Sequence, residues 1–113
     1  MSTEQIKRRD LDNITFRFLE DPGHGWLEVP VWASLAVGVK PEEYSPFSYH
    51  KPVHDGDNLL YLEEDCDAGF FAAYFEATTG RKLGPQIKHI FEEQSTVRDR
   101  LPRLPGIGYV RRF

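Results

Sequence analysis

Between Asp65 and Gly80 the chain sets Phe70 four residues before Tyr74 and Phe71 four residues before Phe75. Residues four apart stack on one helix face, so this stretch predicts the principal helix of the fold. Gly80 supplies the left-handed residue that closes such a helix. Asp65 or Asp67 stands where a cap belongs, in an acidic first turn that complements the helix dipole. Elsewhere, 8 prolines and 9 glycines in the chain break the sequence into short pieces. A lone aromatic helix must cover its apolar face with something else, and short strands are what the remaining pieces offer.

Ile14-Thr15-Phe16-Arg17-Phe18 alternates apolar and polar residues, the mark of a half-buried strand. Trp26-Leu27-Glu28-Val29-Pro30 reads as its return partner. Asp21-Pro22-Gly23-His24-Gly25 lies between them as a tight turn, with Gly23 or Gly25 expected at positive φ and His24 exposed. Residues 31–37 predict a short helix ended by Gly38, and residues 41–52 an irregular stretch with Phe47-Ser48-Tyr49 as a brief strand. Asp55-Gly56-Asp57-Asn58 signals a turn, and Leu59-Leu60-Tyr61-Leu62 a buried strand. Gln86-Ile87-Lys88-His89-Ile90-Phe91 reads as a strand, Ser95 as the cap of a short helix to Arg100, and residues 109–113 as a last edge strand. The order predicts an α+β domain over residues 14–113, a mainly antiparallel sheet with one principal helix packed on it, preceded by a charged tail at 1–13.

At 113 residues one domain with one core is expected, and 40% hydrophobic content is too apolar for a disordered chain. No run approaches the ~18 apolar residues of a membrane span, so no membrane partner is expected. The first residues are charged and lack the apolar core of a signal peptide, which makes a cytoplasmic location the expectation. A single cysteine, Cys66, excludes an intrachain disulfide and an all-thiolate zinc site. The four histidines show no i,i+4 pair, and there is no phosphate loop, dinucleotide fingerprint or serine elbow. No metal and no cofactor are expected. The net charge of −4 argues against a general nucleic-acid binder.

Three constellations remain. His24 sits on a glycine-rich turn, where an imidazole can act as general base; turn chemistry explains its neighbours but leaves the histidine unexplained. Glu63, Glu64, Asp65 and Asp67 form the densest acidic patch. Consecutive side chains at a strand-to-helix junction diverge, so capping or a solvated contact surface explains them better than a cation site. Cys66 lies among these acids, which disfavour a thiolate, although a Cys66–His24 pair near Asp65 is a formal route to a small enzyme. Opposed to the acids, Arg98, Arg100, Arg103, Arg111 and Arg112 make the C-terminal region basic. The fold either brings the two charged regions together or presents them on opposed surfaces.

Asp21-Pro22-Gly23-His24-Gly25-Trp26-Leu27, Ser45-Pro46-Phe47-Ser48-Tyr49 and Tyr61-Leu62-Glu63-Glu64-Asp65-Cys66-Asp67 recur in that order in a group of small uncharacterised proteins encoded by phages and plasmids, which the chain resembles over residues 14–80. The ending Tyr109-Val110-Arg111-Arg112-Phe113 resembles theirs as well, whereas residues 50–58 and the proline-rich 101–108 depart from it. The resemblance implies a mobile-element setting and supplies no reaction. The leading expectation is a non-enzymatic binding protein, such as an anti-CRISPR-like inhibitor of a host defence system. Glu63, Glu64, Asp65, Asp67 and His24 would contact a host protein, at a basic surface that normally handles nucleic acid. One alternative is an enzyme using His24 with Cys66 or Asp65. The other is a nucleic-acid-binding accessory factor using Arg98, Arg100, Arg103, Arg111 and Arg112.

Overall fold

A computed structural model describes residues 11–51, 58–92 and 96–108. The chain forms strands β1 (Phe16–Glu20), β2 (Gly25–Pro30), β3 (Tyr49–Lys51), β4 (Leu59–Glu63) and β5 (Ile87–Phe91). Residues 11–13 are helical, and among the described residues the strands are accompanied by the α-helices α1 (Val31–Ala36), α2 (Asp67–Thr79) and α3 (Thr96–Arg100). The five strands make one sheet in the order β3-β4-β2-β1-β5. Three of its pairings are antiparallel and the fourth, β1 with β5, is parallel. The fold is α+β, with α2 as the principal helix packed on the sheet.

Strand alternation sends successive side chains to opposite faces, and both faces are covered. On the first, Phe16, Leu27, Leu60 and Leu62 meet Phe71 and Phe75 of α2, all at most 2% exposed. Phe16 stands edge-on to both helix rings, with centroids 5.5 and 5.8 Å away. Gly80 closes α2 at φ +73° and Gly38 follows α1 at φ +93°, the left-handed stops that the sequence anticipates. Leu11 is fully buried in this core, so the packed domain reaches three residues beyond the boundary expected at Ile14.

On the second face Leu19, Trp26, Tyr49 and Tyr61 form a smaller cluster closed by Val97 of α3. Residues 96–104 cross this face as a strap. His50 N–H donates to the Pro102 carbonyl at 3.0 Å, Leu104 N–H to that of Ser48 at 2.8 Å, and Arg103 bridges Tyr49. The expected turn at 55–57, the Ser95 cap and the edge strand at 109–113 lie outside the described residues.

Two local expectations are corrected. Neither Gly23 nor Gly25 has positive φ. The hairpin turn is instead set by Asp21, whose Oδ1 accepts the amides of Gly23 at 2.9 Å and His24 at 2.8 Å. Gly25 is required for close approach: a Cβ there would stand 2.6 Å from the Phe18 ring and 2.9 Å from Glu64 Oε2. At the start of α2 the N-cap position is Cys66, with no side-chain cap. Neither Asp65 nor Asp67 caps the helix.

Candidate functional site

Four loops converge at one end of the sheet. The β1–β2 turn brings His24 and Trp26, the β4–α2 junction brings Glu63, Asp65 and Cys66, the segment before β3 brings Phe47 and Tyr49, and the strap brings Arg98 and Arg103. Together they line an open cavity of about 390 Å³, within the ~300–1,000 Å³ usual for ligand pockets. The sheet register explains half of this meeting, because Trp26 and Glu63 are direct cross-strand partners. The strap explains the rest: by crossing the second face it carries the arginines to the acidic junction. The acidic and basic regions therefore meet around one cavity.

Aromatic rings dominate the walls. His24 stacks on Trp26 with centroids 5.6 Å apart and planes inclined by 20°, and Trp26 meets Tyr49 edge-on at 6.1 Å. Phe47 leaves 54% of its surface exposed. Trp26 is only 3% exposed, and its indole N–H has no hydrogen-bond acceptor among the described residues.

The charged groups divide into engaged and unengaged ones. Arg98 Nη1 donates to His24 Nδ1 at 3.0 Å. The same His24 Nδ1 stands 3.7 Å from Asp21 Oδ1. The Arg103 guanidinium lies over the Tyr49 ring, 5.6 Å from its centroid. Glu63 accepts the Asp65 amide at 2.9 Å and forms no ion pair with any described residue. Burial, with help from the neighbouring charges of Asp65, Glu64 and Asp67, pushes its carboxyl above the ordinary range. The Asp65 carboxylate has no hydrogen-bond or ion-pair partner among the described residues. It therefore stays unpaired with Arg103 although both line the same cavity.

The expected site residues separate accordingly. Glu63, Asp65 and His24 line the cavity, whereas Glu64 is exposed and does not, its amide donating to the Gly25 carbonyl at 3.1 Å and its carboxylate standing on the Phe18 side of Gly25. Asp67 does not belong to the contact surface. It is fully buried, and its carboxylate accepts the Ser45 amide at 3.0 and 3.1 Å, the Ser45 hydroxyl at 2.5 Å and the Ser48 hydroxyl. It pins the segment that carries Phe47 and Tyr49, a structural role that makes it unavailable to a partner. Of the basic set, Arg98 and Arg103 reach the cavity. Arg100 lines a second, smaller one of about 280 Å³ with Arg17 and Lys51, and Arg111 and Arg112 lie outside the described residues.

His24 and Cys66 share the cavity, but each has another engagement: His24 with Arg98, and the Cys66 thiol as donor to Asp67 Oδ1 at 3.7 Å. Among the described residues no three His, Cys, Asp or Glu side chains converge on a possible metal position. None of their helices is long and apolar enough to cross a membrane. The sequence reading missed Trp26, Phe47 and Tyr49 as site residues. Their only signal was that aromatics recur in three of the four segments that meet here, as Trp26, as Phe47 with Tyr49, and as Tyr61 ahead of the acids.

No protein-family model, curated protein or solved structure matches the chain.

Proposed function

We propose that the chain is a binding protein whose contact surface is the acidic junction Glu63, Glu64 and Asp65 with the aromatic cavity beside it, and whose partner is a protein with a basic surface. One observation carries the reading. Two carboxylates, those of Glu63 and Asp65, line an open aromatic cavity, and neither is ion-paired among the described residues. Unneutralised acids crowded together repel one another, and a cationic partner surface removes that repulsion while steering the encounter. The engagements of His24 and Cys66 favour this reading over general-base or nucleophilic catalysis. The resemblance to phage and plasmid proteins supplies a setting, in which the partner is a host defence protein and the acids occupy a surface made for nucleic acid.

The test reverses charge where the fold tolerates it. Glu64 and Asp65 are exposed, so Glu64→Lys with Asp65→Lys is expected to leave the unfolding midpoint within about 0.5 kcal/mol of wild type. Affinity capture from the host with both forms identifies a basic protein retained by wild type and lost by the variant. Calorimetry on that pair at two salt concentrations then shows weaker binding at the higher one. Binding that ignores both salt and charge reversal refutes the acidic surface.

A further inference from the structure

The partner reading leaves open what fills the cavity, and the inference here rests on that reading. Among the described residues the cavity offers the unpaired carboxylate of Asp65, the half-buried Glu63, the half-exposed ring of Phe47, and the ring of Trp26. Opposite them the Arg103 guanidinium uses its face on Tyr49 and has no hydrogen-bond acceptor among the described residues. An occupant must bring a cation with several donors to the acids, a flat surface to the ring, and a neutral acceptor to Arg103.

We propose that the cavity takes an arginine side chain of the partner, carried on an extended segment whose main-chain carbonyls face Arg103. A guanidinium forks to carboxylates and stacks on an aromatic ring, whereas an ammonium does the first poorly and the second less well. Buried arginine anchors are also frequent centres of binding energy at interfaces. A nucleotide would satisfy Phe47 and the arginines, but its phosphate would have to pass Glu63 and Asp65 on a chain of net charge −4. The observations favour the cation.

The experiment uses the isolated protein and needs no partner. N-acetyl-arginine amide, N-acetyl-lysine amide and guanosine monophosphate are titrated in turn, following the indole N–H resonance of Trp26, with Trp32 on α1 as the internal control. Expected is a saturable shift of Trp26 alone with the arginine amide, about fivefold tighter than with the lysine amide. Asp65→Asn should weaken it by about fivefold, and Phe47→Leu should reduce the preference for arginine over lysine while the rest of the spectrum stays unchanged. No shift with the arginine amide overturns the assignment. So does tighter binding of the nucleotide, or arginine binding indifferent to both substitutions. The two readings fail separately. If the amide does not bind but charge reversal still abolishes capture of the partner, the acidic surface stands and the arginine anchor falls. If the amide binds but charge reversal leaves partner binding intact, the anchor stands and the acidic surface falls.

Discussion

Glu28 and Glu63 sit on neighbouring strands of one sheet, on the same face and two register pairs apart, yet they are treated in opposite ways. Glu28 is enclosed, with 13% of its side chain exposed, and it is fully answered. Arg17 holds it through two nitrogens at 2.6 and 2.9 Å, and the Tyr61 hydroxyl donates to it at 2.9 Å. Burial alone would push its carboxyl up, but those hydrogen bonds outweigh it and leave the group below the ordinary range. Glu63 has the burial and the like charges without the cation, and its carboxyl stands above that range. Folding can neutralise a half-buried acid, and it does so for Glu28. Among the described residues nothing answers Glu63 and Asp65 beside the open cavity, which is where the proposed partner would supply the cation.

The largest effect is expected at a third acid, one satisfied more completely than Glu28. Asp67→Ala strips four acceptor contacts from Ser45 and Ser48, and each buried donor left without a partner costs about 1–3 kcal/mol. Some rearrangement of the hydroxyls leaves a loss of about 3–5 kcal/mol, read from the denaturant midpoint. The same variant should weaken arginine-amide binding, because the segment bearing Phe47 and Tyr49 loses its pin. A midpoint near wild type would mean that Asp67 is not the anchor of the site.

Next comes Glu28→Gln, which keeps the shape and removes the charge opposite Arg17. Arg17 is half exposed and recovers water, so the expected loss is about 1–2 kcal/mol at neutral pH. The sign of the pH dependence follows from the lowered carboxyl. The stability contributed by Glu28 is present above the ordinary carboxylate range and is lost as pH falls through its depressed folded value. Wild type and variant should therefore converge in strong acid. A gap that persists there would assign the loss to packing instead of charge.

Gly25→Val probes the seam between the hairpin and the acidic junction. The added side chain meets the Phe18 ring and Glu64, which overpacks the strand at a cost of about 1–3 kcal/mol. An unchanged midpoint would show that Phe18 yields freely and that Gly25 is not a contact point.

Much of the architecture was legible because its causes are local. Phe71 and Phe75 mark the buried helix face, Gly80 and Gly38 mark its stop and that of α1, and the alternation in β1 and β2 marks the hairpin. What was not legible depends on pairings between distant residues. The fate of Asp67 is decided by Ser45 and Ser48, about twenty residues away, and from sequence alone an acid at a helix start reads as a cap. Parallel pairing of β1 with β5 joins segments separated by most of the chain. The candidate site was half legible: its acids, His24 and the arginines stand out by charge. The cavity itself depends on the strap crossing the second face, and no periodicity records that crossing.

The smallest effect on stability carries the sharpest information. Glu63→Gln keeps an oxygen to accept the Asp65 amide and removes a charge that burial and its neighbours oppose. A folded carboxyl held above its unfolded value contributes stability that is present below the unfolded value and lost as pH rises through the folded one. At neutral pH the ionised group is therefore a liability, and its removal is expected to be neutral or slightly stabilising. In acid, where wild type has bound its proton, that advantage should disappear. Binding should move the other way, because the variant loses part of the charge that answers an arginine. Wild-type affinity for N-acetyl-arginine amide should itself weaken as pH falls into the raised range, since a proton competes with the guanidinium for the same carboxylate. A thermal melt and an amide titration, each run at neutral and acidic pH on both proteins, separate the possibilities. If Glu63→Gln destabilises the fold as Glu28→Gln does, Glu63 is an ordinary structural acid and the contrast between the two glutamates collapses. If the variant folds as well as wild type and binds less, the strain at Glu63 is a property of the binding site.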